Sequence, residues 1–184
     1  EEIAIMHTSF GDLYIRFFPE QAPKTVENFK TLSQSGYYDG LLFHRVISNF
    51  MIQGGDPRTR DIKGSEFDVN SEESGNPRYW EKIPAEICFP QLYHRRGALA
   101  AAREGDGVNP QRMSSRTQFY IVWGRTFDAE QMQRMEQHLQ MQGIALPDNV
   151  REAYMNEGGT PHLDGQYTVF GEVIEGLDIV EKIQ

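Results

Sequence analysis

Apolar residues fall at alternate positions in two runs near the start of the chain. Ile3 and Ile5 share one parity in the first run, and Leu13, Ile15 and Phe17 share one in the second. Alternation of period two marks a half-buried strand, and Ser9-Phe10-Gly11-Asp12 between the runs is a hairpin signal. Two antiparallel strands with one buried face are therefore predicted. The period then changes. Val26, Phe29 and Leu32 recur at three-residue spacing after Pro23, a favoured first helical residue, until Gly36 supplies a C-cap. This predicts an amphipathic helix over 23–35.

Strand signals resume from Leu41 to Gln53, broken at Ser48-Asn49 and stopped by the turn chemistry of Gly54-Gly55-Asp56. Alternation places Arg45 and Ile47 on one face, and Met51 and Gln53 on one face beyond the break. The polar stretch 57–82 reads as a surface insertion that Phe67, Tyr79 and Trp80 would pin to the body. Short extended segments follow at 83–87 and at the small-residue run Gly97 to Ala102, where another backbone or a ligand could approach closely. In 117–122, Gln118 and Tyr120 share one face while Phe119 and Ile121 share the other; one face goes to the core and the opposite face is available to a substrate.

A second insertion, 127–160, has helical periodicity. Asp128-Ala129-Glu130-Gln131 resembles a capping box, and Met132, Met135 and Leu139 follow at helical spacing before Gly143. A shorter helix starting near Pro147 carries Val150 and Tyr154 and stops at Gly158-Gly159. The pair forms an inserted helical hairpin. A last strand at 167–173 and a last helix at 177–183 complete the reading. Short strands with helices early and late fit a closed or nearly closed antiparallel β-barrel, with a sandwich as the alternative on spacing alone.

Composition narrows the class. The 184 residues suffice for one domain with a real core, or for two small ones, and 39% hydrophobic with 24% charged residues is globular. No apolar run approaches the roughly 18 residues of a membrane span. A net charge of −9 argues against nucleic acid as a partner, since its readers carry a clustered basic face. The single cysteine, Cys88, excludes an internal disulfide and any thiolate set for zinc, and reads as a small buried hydrophobe. Because the chain opens at Glu1-Glu2 and enters a strand directly, a removed leader and a periplasmic location are expected, with the cytoplasm as the alternative.

The chemistry concentrates in Phe43-His44-Arg45-Val46-Ile47-Ser48-Asn49-Phe50-Met51-Ile52-Gln53-Gly54-Gly55-Asp56, which sets one permanent cation and one amide among large apolar side chains. An arginine so flanked either snorkels outward or faces a lined cleft. His44, in the same apolar run, reads as a hydrogen-bonded core histidine. No Gly-x-Ser-x-Gly elbow, phosphate-binding glycine loop or His-Glu-x-x-His pair occurs anywhere in the chain.

This segment, together with Ser114-Ser115-Arg116-Thr117-Gln118-Phe119-Tyr120-Ile121-Val122, resembles the cyclophilin family of peptidyl-prolyl cis-trans isomerases, in a bacterial-like form with the two insertions. The likeness extends to the opening hairpin and helix, to Gly97–Arg103 and to His162–Val173. It implies a single domain over 1–184 built as a closed eight-stranded antiparallel β-barrel capped by two helices, with the helical hairpin inserted. It implies rotation of Xaa-Pro bonds in peptides and in unfolded or folding proteins, by a monomer that uses no cofactor or metal. A catalytically weak proline-peptide binding or chaperone-like module is the alternative.

On the family's pattern Arg45 is the catalytic residue, and Phe50, Met51, Tyr120 and Leu163 form the proline pocket. Gln53 binds substrate backbone. Gln118 and Ala102 line the groove for the preceding residue, and the main chain of Ala102 and Arg103 pairs with the peptide as an added strand would. His162 and Tyr167 occupy the rim. Several residues depart from the pattern: Tyr120 stands where phenylalanine is more usual, His162 for an indole, Tyr167 for a histidine and Arg103 for an asparagine. Weak binding of cyclosporin-like macrocycles is the expected result.

Overall fold

In the computed structural model, which describes residues 1–60 and 81–184, the opening runs pair as β1 (Ile3–Thr8) and β2 (Gly11–Phe17). Phe67, Tyr79 and Trp80, expected to pin the first insertion, lie outside the described residues. Leu13, Ile15 and Phe17 are buried as expected, but Ile3 and Ile5 are each 49% exposed. The register explains the difference. Ile3 is opposite Arg16 and Ile5 opposite Tyr14, whereas Ala4 and Met6 face Ile15 and Leu13. Cross-strand partners share a face, so β1 turns Ala4 and Met6 inward.

The helix α1 (Pro23–Gln34) buries Val26, Phe29 and Leu32. It ends as Gly36 takes φ +75° and the Tyr37 amide returns to the Leu32 carbonyl. The remaining strands are β3 (Arg45–Ile47), β4 (Met51–Gly54), β5 (Lys82–Ile83), β6 (Ala98–Ala101), β7 (Ser114–Ser115), β8 (Phe119–Val122) and β9 (Val169–Glu175). The inserted hairpin is α2 (Ala129–Gln140) and α3 (Asp148–Asn156), and the last helix is α4 (Leu177–Ile183). The capping box of α2 is formed at both ends, between Asp128 and Gln131.

Seven strands form one antiparallel sheet in the order β1-β2-β9-β6-β8-β4-β3, and β5 pairs with β7 in a separate two-stranded ribbon. The expected closed eight-stranded barrel is corrected to an open, curled sheet, because the ladder among the described residues ends at β1 and β3. The cause lies just before β3. Residues 41–44 have no strand structure, and the Leu42 amide donates to Thr59 Oγ1 at 3.1 Å, not to β1. Thr8, Phe10, Phe43, Val46 and Ile183 line a cleft of about 310 Å³ along that seam.

Alternation divides the sheet's apolar residues between two clusters. Leu99, Phe119 and Ile121 join Leu13, Ile15, Phe29, Phe170 and Val180 in the main core, beneath α1 and α4. Ala98, Ala100, Tyr120 and Val122 point the other way with Met51 and Val169. The alanines on that second face leave room above the sheet for larger neighbours, Phe50, Leu163 and Tyr167. No helix among the described residues is long and apolar enough to cross a membrane.

Candidate active site

The hairpin β3–β4 sets the site's polar edge. Its register puts Arg45 opposite Gln53 and Ile47 opposite Met51, so all four share one face. The turn needs Asn49 at φ +60°, a conformation asparagine tolerates, and the Gln184 side chain accepts the Asn49 amide at 2.7 Å. At the far end Gly55 has φ +91°, and a Cβ there would lie 2.2 Å from the Thr117 carbonyl oxygen. Only glycine permits that approach, which brings the end of β4 against residues 117–118.

The consequence is a directed row of hydrogen bonds. Arg45 Nη1 donates to Gln53 Oε1 at 3.3 Å, Gln53 Nε2 to Gln118 Oε1 at 2.9 Å, and Gln118 Nε2 to Asp56 Oδ2 at 3.5 Å. Asp56 is 1% exposed and also accepts from Arg58 through its amide, Nε and Nη2. Burial pushes this carboxyl up, but the Arg58 hydrogen bonds and charge outweigh it and hold the group below its ordinary value. An ionised carboxylate accepts only, so both amides turn their NH₂ groups toward it and the Gln53 oxygen toward Arg45. The guanidinium is thereby oriented at the edge of the pocket while staying exposed.

That pocket is a cavity of about 420 Å³ whose apolar wall is Phe50, Met51, Tyr120 and Leu163. Tyr120 is 5% exposed, and its hydroxyl lies 2.7 Å from His94 Nε2 behind the wall. Burial pushes the phenol well above its ordinary pKa, so it keeps its proton. Tyr167 meets that ring edge-on at 5.7 Å, and the Arg103 guanidinium sits over Tyr167 at 4.4 Å.

Arg45, Phe50, Met51, Gln53, Ala102, Arg103, Gln118, Tyr120, Leu163 and Tyr167 all border this one cavity. His162 lies outside its lining, exposed, with its ring 5.4 Å from that of Phe50. The Ala102 main chain is already engaged: its amide donates to the Gln118 carbonyl and its carbonyl accepts from Ser115. The added-strand pairing expected of Ala102 would have to displace those bonds. The Arg103 side chain, 4% exposed, binds the Gln166 carbonyl at 2.9 Å and Asp106 at 3.0 Å.

Sequence reasoning missed His44, Asp56 and Arg58, which border the same cavity. His44 is half-buried at the cavity, not in the core. Asp56 was legible only as a turn residue, since nothing local signals an amide two strands away. Cys88 is partly exposed, not buried, with Sγ 3.7 Å from Gln91 Oε1. Among the described residues no three His, Cys, Asp or Glu side chains gather as a metal site would require.

Two histidines make stability depend on pH. Desolvation lowers the pKa of His44, against the opposing pull of Asp56, and also lowers that of His162, whose ring packs on Phe50. Unfolded histidine takes up its proton near about 6.5, while these two do so only at lower pH. The unfolded chain therefore binds more protons in that window, and stability present above it is lost as pH falls toward the folded values. The urea midpoint is expected to drop between about pH 7 and pH 5. The slope should flatten in a His44→Gln, His162→Gln double variant; a flat profile in the parent would contradict the assignment.

The model of the family described as cyclophilin type peptidyl-prolyl cis-trans isomerase/CLD matches residues 3–184. A Staphylococcus epidermidis protein named a peptidyl-prolyl cis-trans isomerase is 38% identical over 181 residues, covering 97% of this chain and 79% of its own. A Staphylococcus aureus protein of the same name matches to the same extent. A Cryptosporidium parvum cyclophilin type peptidyl-prolyl cis-trans isomerase, crystallised in the presence of the dipeptide Ala-Pro, superposes with a TM-score of 0.62 at 28% identity. That match covers 98% of this chain and 85% of the other. Another structure of the same protein gives 0.61 at 29% identity, over 96% and 82%. Sequence match and fold agree, and the chain belongs to the cyclophilin-type peptidyl-prolyl cis-trans isomerase family.

Proposed function

We propose that Arg45 and the adjoining cavity turn Xaa-Pro bonds in exposed segments of peptides and folding proteins, with the chain acting as a single-domain monomer. The barrier is about 18 to 20 kcal/mol because the C–N bond has partial double-bond character. No covalent bond is made or broken, so neither a nucleophile nor a Lewis acid is required. At the half-turned geometry the nitrogen lone pair leaves conjugation and becomes a hydrogen-bond acceptor. A fixed guanidinium aimed there stabilises that state more than the planar ones.

The observation that carries this reading is the placement of Arg45, oriented by Gln53 beside a socket of Phe50, Met51, Tyr120 and Leu163. Proline's ring would enter the socket, and Gln53 would bind peptide main chain. Gln118 and Ala102 would line the groove for the preceding residue, and His162 and Tyr167 the rim. A protease-coupled assay on a Xaa-Pro peptide tests it. Rate lost in Arg45→Ala with peptide binding retained supports catalysis; no rate in the parent would instead identify a proline-peptide binding module.

Cyclosporin-like macrocycles are expected to bind weakly. His162 offers Phe50 an exposed imidazole in place of an indole's larger apolar face and N–H donor. Titration calorimetry with such a macrocycle should show no tight complex; nanomolar binding would contradict this reading of the rim.

A further inference from the structure

The proline pocket and the inserted hairpin belong to different apolar clusters. Met51, Ala100, Tyr120 and Val122, with Leu163 against them, form one; Phe127, Met132, Val150 and Tyr154 form the other. Four buried polar side chains run between them. Tyr154 of α3, 0% exposed, donates its hydroxyl to Asp164 Oδ2 at 2.5 Å. Asp164 Oδ1 accepts the His94 main-chain amide at 2.8 Å and lies 3.0 Å from His94 Nδ1. On the other side of the ring, His94 Nε2 is 2.7 Å from the Tyr120 hydroxyl.

The Asp164 carboxylate offers only acceptors, so Tyr154 and His94 Nδ1 both donate to it, and His94 Nε2 shares the remaining bond with the Tyr120 hydroxyl. The backbone beside the row is equally constrained. Thr160 donates to the His94 carbonyl at 2.9 Å. Gly159 has φ +151°, and a Cβ there would lie 2.3 Å from the His94 carbonyl oxygen and 2.7 Å from the Tyr154 ring. Asp164 directly follows Leu163 at the end of the short 3₁₀ turn Pro161–Leu163, against which α2 also packs. One carboxylate therefore ties together both sides of the socket: the Tyr120 ring through His94, and Leu163 through the chain.

We infer that Tyr154, Asp164 and His94 are positioning residues through which the inserted α2–α3 hairpin sets the spacing of Tyr120 and Leu163 around the substrate proline. This rests on the isomerase reading of the pocket. None of the three need touch the peptide. Their effect on rate runs through the placement of two side chains that do, and small misplacements near a reacting bond have large kinetic costs.

The test is a double-mutant cycle in an NMR exchange assay on a Xaa-Pro peptide, with folding checked for each variant. Tyr154→Phe removes one hydroxyl from α3 and is expected to lower kcat/KM about 3- to 10-fold. In a Tyr120→Phe background, where the branch through His94 is cut and only the path through Asp164 to Leu163 remains, the same change should cost clearly less than in the parent. An equal loss in both backgrounds, or none in the parent, overturns the proposal. A second readout does not need turnover: Tyr154→Phe should shift the Leu163 methyl and Tyr120 ring resonances, and Tyr120→Phe should shift those of the Tyr154 ring. Unmoved resonances in both variants overturn the coupling. Absence of turnover in the parent would count against the isomerase reading alone, with the coupling then decided by these shifts.

Discussion

Replacing Arg45 with alanine should lower kcat/KM by roughly 30- to 900-fold, the equivalent of about 2 to 4 kcal/mol of transition-state stabilisation. The magnitude follows from what a single preorganised donor contributes where charge or lone-pair density develops. Arg45 is exposed on a three-residue strand and hydrogen-bonds Gln53, so the fold should tolerate the change. Peptide affinity should be nearly unchanged, since the socket is formed by Phe50, Met51, Tyr120 and Leu163. Arg45→Lys is expected to recover little. Lysine's ammonium is a point charge on a flexible stem, and the Gln53 contact aligns a planar group. Rates at saturating and limiting peptide separate these effects: kcat should fall with KM almost constant.

The largest effect on stability is expected at Asp164. It is 0% exposed and serves three donors: the His94 amide, His94 Nδ1 and the Tyr154 hydroxyl. Asp164→Ala would leave all three in the interior with no room for bulk water, at a cost of about 3 to 5 kcal/mol. Urea denaturation should show a much lower midpoint, and a loss under about 1 kcal/mol would mean the row is hydrated or rearranges easily. Asp164→Asn should cost less. Its amide oxygen can still accept from His94, but its NH₂ group would face the Tyr154 hydroxyl, which could then reverse its own hydrogen.

How much of this was legible beforehand follows a physical rule. Features set by residues close in the chain were readable: α1 from Val26, Phe29 and Leu32, the α2 capping box from Asp128 and Gln131, and the face shared by Gln118 and Tyr120. Features set by register or by a distant partner were not. The parity of Ile3 and Ile5 was correct, yet which parity faces inward depends on pairing with Tyr14 and Arg16, which alternation along β1 alone does not contain. Barrel closure failed as an expectation for the same reason, since the backbone before β3 is committed to Thr59, seventeen residues on.

The site divides the same way. Its cation, amides and apolar wall lie in two contiguous motifs, and the family resemblance pointed to them. Asp56 as anchor of the amide row, and the burial of Arg103 against Tyr167, depend on contacts between segments far apart in sequence. His94 offered no local signal at all. It stands beside two arginines in an irregular stretch, and only the fold brings it between Tyr120 and Asp164.

The central claim is that a guanidinium beside an apolar socket stabilises the half-turned prolyl amide and contributes little to holding the planar one. Two-dimensional exchange NMR on an Ala-Pro peptide with a small molar fraction of the chain tests it most directly. The parent should give cis–trans exchange cross-peaks absent from the peptide alone. Arg45→Ala should abolish them at a concentration where bound-state shifts show the peptide still occupies the socket. Cross-peaks of undiminished intensity in that variant, with the socket filled, would contradict the account.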